Sequence, residues 1–237
     1  MPNTAIGKRM INNYEDRSRI KLTRRTPVIL RLDGKSFHTL TRKSNCIKPY
    51  DMHLREMLDY VALGLCSEIQ GAKCAYQQSD EISILLTDFD KLETDAWFDY
   101  NVQKIVSIAA GIASAQFSKF WYPDDQYSIA IFDARVFNVP KEEVCNYFVW
   151  RQRDWERNSI QMLARSHFSH KELQGKSCSD IHEMLHTKDI NWAKLDNIWK
   201  RGVFTNKDEN NDWDLNSAPI FKDERYIIND LIGYMGG

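Results

Sequence analysis

Asp33 ends an apolar run and is followed at once by Gly34, while Asp80 and Glu81 stand side by side between two further apolar runs. Carboxylates on neighbouring strand ends suit phosphoryl or nucleotidyl transfer. That chemistry needs divalent cations to hold phosphate oxygens in line and absorb developing charge. Magnesium takes oxygen ligands, usually one or two carboxylates completed by phosphates and water. Asp33, the backbone carbonyl of Gly34 and Asp80 would form such a set, with Glu81 beside it. The run Gly34-Lys35-Ser36-Phe37-His38 can turn successive N–H groups toward phosphate oxygens, and Lys48 can neutralise a triphosphate. The P-loop spacing is absent. Asp is also favoured in ordinary turns and an exposed Lys is usually a solvated charge, so these residues alone leave the bland reading open.

Secondary structure must bring the carboxylates together. Residues 26–32 read as a strand ending at Asp33-Gly34. Residues 51–70 read as a helix, with Leu54, Met57, Leu58, Val61 and Leu65 at helical spacing and Asp51 as N-cap. Residues 73–77 and 82–87 form a hairpin around Gln78-Ser79-Asp80-Glu81, with no Gly to specify the turn type. Residues 99–120 predict a second helix and residues 127–139 a fourth strand. Strand, helix, strand, strand, helix, strand is the split βαβ order of ferredoxin-like folds. The expected class is α+β, an antiparallel sheet with helices on one face. The chain divides at Pro140: residues 1–140 form the catalytic core and 141–237 a mainly helical region, with a long helix over 141–165 and a short one over 179–187. The runs 200–206 and 225–231 have no clear type, and linkers are expected at 123–125 and 206–217.

The chain has 237 residues, 43% of them apolar, and a net charge of −1. Disorder is excluded, and a nucleic-acid site must be a local basic patch. No apolar run reaches the roughly 20 residues that span a bilayer, and the first residues carry no secretory pattern. Five scattered cysteines form no CxxC pair and suit a reduced, cytoplasmic setting, with all five read as buried small hydrophobes.

Several runs, in order, resemble one family. Arg31-Leu32-Asp33-Gly34-Lys35-Ser36-Phe37-His38, Lys48-Pro49-Tyr50-Asp51, Tyr76-Gln77-Gln78-Ser79-Asp80-Glu81-Ile82-Ser83, Phe132-Asp133-Ala134-Arg135 and Tyr147-Phe148-Val149-Trp150-Arg151-Gln152 are similar to signature blocks of tRNA-His guanylyltransferases and their relatives. The resemblance covers about residues 10 to 205. It implies a polymerase-palm core that extends RNA in the 3′–5′ direction, with GTP or ATP as substrates. By resemblance, Asp33, the Gly34 carbonyl and Asp80 bind two Mg²⁺ ions, and Glu81 is needed for activity. Residues Gly34, Lys35, Ser36, Phe37 and His38, with Ser79 and Lys48, hold the triphosphate, and Lys48 joins the catalytic set. Ile47, Tyr50 and Asp51 contact the incoming base, and Arg135 faces the RNA 5′ end. The family also implies a homotetramer with tRNA lying across subunits.

One block departs from the pattern. Guanylyltransferases proper carry His-Ile-Asn-Asn-Leu-Tyr-Asn where this chain reads Glu156-Arg157-Asn158-Ser159-Ile160-Gln161-Met162, and a later block lacks its Lys at Asp180-Ile181-His182-Glu183. That pattern resembles the guanylyltransferase-like subgroup of bacteria and archaea. It implies template-dependent addition to 5′-truncated tRNA, which is tRNA repair. Non-templated addition of G to tRNA-His is the alternative, and a palm-fold nucleotide cyclase a more remote one.

Two basic clusters could contact RNA phosphates: Arg17, Arg19, Lys21, Arg24 and Arg25, and the group Arg151, Arg153, Arg157 and Arg165. With the resemblance, Arg151, Arg153 and Arg157 join Arg135 as RNA-binding candidates. A rival signal is His182-Glu183-Met184-Leu185-His186, which fits the HExxH zinc-hydrolase pattern without an evident third ligand. A catalytically inert RNA-binding module is the last alternative, disfavoured because clustered carboxylates repel RNA.

Overall fold

The computed structural model describes residues 4–121 and 129–235. In chain order the elements are α1 (Ala5–Met10), β1 (Val28–Gly34), α2 (Phe37–Lys43), α3 (Met52–Glu68), β2 (Ala72–Gln78), β3 (Glu81–Leu86), α4 (Val102–Phe120), β4 (Phe132–Asn138), α5 (Lys141–Arg165), α6 (His170–Leu173), α7 (Cys178–His186), α8 (Asn197–Arg201), β5 (Val203–Lys207), β6 (Trp213–Ser217) and α9 (Tyr226–Leu231). The strands form one sheet in the order β4-β1-β3-β2-β5-β6. Every neighbouring pair is antiparallel. The first four strands are the expected α+β palm arrangement.

The continuous apolar run at the start of β1 has a simple cause: both faces of the strand are covered. Val28, Leu30 and Leu32 join Ile82, Ile84 and Leu86 under α3 and α4. Ile29 faces the other way, with Cys74, Tyr76 and Leu85, and packs against Val144 and Phe148 of α5. Thus α3 and α4 share one face, as expected, and the long helix after Pro140 covers the opposite one. At 25 residues α5 is about 37 Å long. Its last turns leave the sheet and join a third cluster, where Ile160, Leu163 and Ala164 meet Ile181 and Leu185 of α7.

Four expectations are corrected. Residues 213–217 are not linker but strand β6, paired with β5 from Val203↔Ser217 to Lys207↔Trp213. As an edge strand it needs few apolar residues, and Asp214 and Asn216 lie exposed, which made it resemble a loop. Helix α4 begins at Val102 and not at 99, because Asn101 caps it by accepting the Lys104 N–H at 3.1 Å. The preceding residues Phe98, Asp99 and Tyr100 have positive φ, which breaks the helix there. The fourth strand begins at Phe132; the expected linker at 123–125 and residues 127 and 128 lie outside the described residues. Cys66, Cys74 and Cys145 are buried, whereas Cys46 and Cys178 are partly exposed, and all five are free thiols. No helix among the described residues is long and apolar enough to cross a membrane.

Gly34 is fixed by packing. A Cβ there would lie 2.3 Å from the Phe37 ring, which is wedged against Phe117 and Phe132 with centroids 5.3 and 5.1 Å away. Gly34→Ala should therefore cost about 1–3 kcal/mol in urea denaturation. Gly111→Ala, in the exposed middle of α4 where a Cβ meets nothing within 4 Å, should instead stabilise by about 1 kcal/mol. Equal effects at the two positions would refute this packing account.

Candidate active site

The register of the sheet brings the acidic residues together. On β1, Asp33 lies opposite Glu81 of β3 and, on the other side, opposite Asp133 of β4. Residues opposite each other in a ladder share a face. Asp80 sits in the tight turn between β2 and β3. Its neighbour Ser79 adopts a left-handed φ of 48° without being Gly, the kind of strained backbone that clusters at functional sites. The Gly34 N–H donates to the Asp80 carbonyl at 3.0 Å, which ties the end of β1 to the hairpin turn. Burial pushes the Asp80 carboxyl up to about 6, with Asp33 adding repulsion. Burial, then the charges of Glu81 and Asp133, also raise Asp33. The two carboxylates are thus held close in a partly desolvated edge, where a cation would relieve the cost.

Glu81, expected beside the metal-binding set, is held by protein groups. Its two oxygens accept from Arg151 Nε and Nη2, both at 2.7 Å. Its Oε1 also accepts from Gln78 Nε2 at 3.1 Å. Both partners of the ion pair are buried. The same contact corrects Arg151: its guanidinium is committed to Glu81 and to Asp154 at 3.2 Å, so it is not an RNA phosphate contact. This pair anchors α5 to the sheet beside Asp33.

Two adjoining cavities open at this edge. The larger, about 560 Å³, is lined by Gly34, Ser36, Phe37 and His38, by Ile47, Lys48, Tyr50 and Asp51, and by Ser79 and Asp80. Most of the expected nucleotide-binding residues therefore converge, but with different freedom. The Phe37 ring is buried in the core, so only its backbone can serve a ligand. Lys35 is exposed and lines neither cavity; its N–H donates to Ile131 O at 2.7 Å. Tyr50 stacks on Trp199 at 5.0 Å and donates to Ser159 O at 2.9 Å. The Asp51 carboxylate caps α3 through the Leu54 N–H at 2.9 Å and accepts from Ile47 N–H at 2.7 Å. Both are thus committed within the protein, and the His38 Nε2 lies 3.0 Å from Thr39 Oγ1; the Ile47 side chain is exposed and, among the described residues, the Lys48 ammonium has no partner. The second cavity, about 380 Å³, is polar and lies between the sheet edge and α5. Asp33, Asp80, Glu81, Asp154, Asn158 and Arg165 are in its wall.

Around the cavities, Arg135 is exposed on β4 opposite Arg31 and pairs with Asp133 at 3.2 Å. Arg153 and Arg157 are exposed on α5, Arg157 paired with Asp154. The N-terminal basic cluster is largely matched by acids: Arg19 by Asp16, Lys21 by Asp99 and Arg24 by Asp88. On α7, His182 packs edge-on against Trp192, and among the described residues no three His, Cys, Asp or Glu side chains cluster to hold a metal. That leaves the zinc-hydrolase reading without its third ligand.

Sequence reasoning missed Trp155, Met162 and Trp199 as cavity walls. It counted Arg165 only as one of a basic group. Helical spacing on α5 could have found Trp155, Met162 and Arg165, since 151, 155, 158, 162 and 165 recur every three or four residues and so share one face; Trp199 lies on α8, outside that pattern.

Arg151→Met should cost about 3–5 kcal/mol of stability, because it leaves a buried carboxylate unpaired. Adding Glu81→Gln should recover part of that loss, so the double variant is more stable than the two single effects sum to; strict additivity in urea denaturation would remove the coupling. Asp80 gives the opposite sign. Its folded-state pKa is raised, so the folded protein binds the proton more tightly and loses stability as pH rises toward and through about 6. Asp80→Asn should stabilise the ligand-free protein by about 1–2 kcal/mol at pH 7, an advantage that shrinks below pH 5. A pH-independent difference would count against it.

Comparison with known proteins agrees with this geometry. Residues 8–140, more than half of the chain, match the family described as Thg1, tRNAHis guanylyltransferase. The tRNA(His) guanylyltransferase of Debaryomyces hansenii is 29% identical over 196 residues, 75% of this chain and 72% of that protein. The enzyme of Schizosaccharomyces pombe is 27% identical over 207 residues, covering 81% and 77%. A bacterial tRNA(His) guanylyltransferase (Thg1)-like protein in complex with ATP superposes with a TM-score of 0.91 at 42% identity, over 98% of this chain and 100% of that one. A second such protein, in complex with GTP, gives 0.81 at 38% identity, over 96% and 99%. The Saccharomyces cerevisiae enzyme, at 19% identity and a TM-score of 0.73 over 91% and 98%, shares the fold. This chain belongs to the tRNA(His) guanylyltransferase family of nucleotidyltransferases.

Proposed function

We propose that this protein restores missing nucleotides at the 5′ end of truncated tRNA, adding them in the 3′–5′ direction under the guidance of the opposite strand. The observation that carries this reading is Asp80 in the wall shared by two cavities, with Asp33 beside it in the wall of the polar one. One is large enough for a nucleoside triphosphate, and the other would take the RNA end. Relatives in complex with ATP and with GTP support a nucleotide substrate. Asp51, expected to contact the base, has its carboxylate committed to two backbone N–H groups. Each of its oxygens thus already accepts one N–H, which leaves about half of its acceptor capacity for a base, and on this reading base choice rests on pairing with the template strand.

The donor set suits magnesium. Asp33, Asp80 and the Gly34 carbonyl are all oxygen ligands, and the raised Asp80 carboxyl marks charge in need of a counter-ion. Since, among the described residues, no three such side chains cluster to hold a metal, phosphate oxygens would complete the coordination of the two ions. When bound, magnesium neutralises phosphate charge and aligns the reacting oxygens. The protein's own groups position: N–H groups from Ser36 to His38, Ser79 and Lys48 hold the triphosphate in the larger cavity. In activation, an oxygen of the RNA 5′-monophosphate attacks the α-phosphorus of ATP or GTP, whose bond to the β-phosphate breaks as pyrophosphate leaves. The 3′-OH of the incoming nucleotide then attacks the activated phosphorus, whose bond to the nucleotide leaving group breaks. No side-chain nucleophile is required. Glu81, locked by Arg151, holds the edge in shape. The region 141–237 contributes Arg153 and Arg157 to RNA binding, with Arg135 from the core. The exposed apolar residues Ile6, Met10, Tyr14 and Ile20 fit burial between subunits of a homotetramer.

The decisive experiment supplies tRNA lacking its first 5′ nucleotide, with Mg²⁺ and all four triphosphates. The nucleotide complementary to the opposite strand should be restored, whichever base that is. Addition of G alone, regardless of the partner, would convert the reading to the non-templated reaction, and a cyclic product from GTP alone would convert it to the cyclase. Asp33→Ala and Asp80→Ala should each lower addition by at least about a hundredfold while the thermal unfolding transition remains cooperative. Near wild-type activity in either would remove the assignment of that carboxylate.

A further inference from the structure

The two cavities share part of their wall, and Arg165 is the cationic residue common to both. It lies in the last turn of the 25-residue helix α5, close enough to the junction to line each side. The other guanidinium in the polar cavity, Arg151, is locked between Glu81 and Asp154. Arg165 differs: it donates to the neutral Gln161 Oε1 at 3.2 Å and, among the described residues, has no carboxylate within salt-bridge distance. The wall it faces is acidic, with Asp33, Asp80 and Asp154 in the polar cavity. The carbonyl end of α5 adds further negative potential at that point. Among the described residues, an anion brought to the wall shared by both cavities therefore meets one guanidinium, Arg165, whose fork of donors is unpaired with any carboxylate and suited to phosphate oxygens.

The bland account of Arg165 is that it interacts with the helix C-terminus and with solvent. That account explains its place in the last turn but not its position in the shared wall of two cavities. It also predicts no dependence of binding on the chemistry of a ligand's end.

We propose that Arg165 binds the 5′-terminal phosphate of the RNA substrate and sets it at the junction, where the nucleotide in the larger cavity can reach it. This rests on the reading of the site as a tRNA 5′-end nucleotidyltransferase. Arg165 is a phosphate-binding residue for the RNA, distinct from Lys48 and the N–H groups of Ser36 to His38, which line only the larger cavity. Its guanidinium donates to the phosphate oxygens, and the proton inventory does not change.

The test compares the affinity of one truncated tRNA carrying a 5′-phosphate or a 5′-hydroxyl, for the wild-type protein, Arg165→Ala and Arg165→Lys. ATP affinity is measured alongside. The wild-type protein should prefer the 5′-phosphorylated RNA by about ten- to a hundredfold, the scale of a charge-assisted contact. Arg165→Ala should lose that preference while binding the 5′-hydroxyl RNA and ATP as the wild type does, and Arg165→Lys should keep part of it. Arg165 is exposed, so its substitutions should leave thermal unfolding unchanged, which is measured on the same samples. A 5′-phosphate preference that survives in Arg165→Ala overturns the proposal. So does a loss of ATP affinity as large as the loss for RNA, which would assign the residue to the incoming nucleotide. A wild-type protein that adds nucleotides to truncated tRNA yet ignores the 5′-phosphate in binding sinks this inference alone. One that neither adds nucleotides nor distinguishes the two ends sinks the functional reading with it.

Discussion

The site depends on holding like charges together. Asp33 faces Glu81 on one neighbouring strand and Asp133 on the other, and Asp80 is close enough for Asp33 to raise it. Left to themselves, carboxylates at this spacing repel, and partial burial strengthens the repulsion. Three features oppose it. The antiparallel register fixes the strand ends. The Gly34 N–H grips the Asp80 carbonyl. Arg151, brought by α5, neutralises Glu81 through two short hydrogen bonds. The palm strands alone would present too much uncompensated charge; the helix after Pro140 is therefore part of the active-site scaffold as well as a cover for the second face of the sheet.

This division of labour separates two kinds of acidic residue that look identical in sequence. Glu81 is adjacent to Asp80 in the chain, yet Glu81 starts strand β3 while Asp80 ends the turn. The first is turned toward α5 and its arginine, and the second lies at the junction of the cavities. A loss of activity on replacing Glu81 would follow from the collapse of the edge and would not by itself identify a metal ligand.

Much of the core was legible because its signals are local. The apolar runs at 28–32 and 82–86 reflect strands covered on both faces. The spacing of Leu54, Leu58, Val61 and Leu65 gave α3, and the Asp51 cap marked its start. The convergence of Asp33 with Asp80 followed once those strands became neighbours. The C-terminal half was harder to read. Strand β6 has an exposed, polar face and lies at an edge, so its pattern matches that of a loop. Helix α2 begins at a left-handed Ser36, which no N-cap preference anticipates. The misassigned Arg151 shows the limit most clearly. On a helix drawn alone it belongs to a basic group with Arg153 and Arg157. Its burial against Glu81, 70 residues earlier in the chain, is a tertiary fact.

The electrostatic layout also constrains the order in which ligands can assemble. The edge is acidic, so a triphosphate approaching without cations is repelled by Asp33 and Asp80, while cations alone meet too few ligands to be held firmly. On the proposed two-metal reading each would supply what the other lacks: phosphate oxygens would complete the coordination, and cations would cancel the repulsion. Binding of nucleotide and metal would then be coupled, by the reciprocity that governs any two ligands sharing a site. The folded chain leaves the polar cavity acidic, with Asp33, Asp80, Glu81 and Asp154 against Arg151 and Arg165, and counter-ions arriving with the substrate would offset that charge. A carboxylate pair that were fully exposed would be comfortable without them, and would hold them correspondingly less tightly; the partial burial that destabilises the empty site is the same feature that makes the filled one selective for charge.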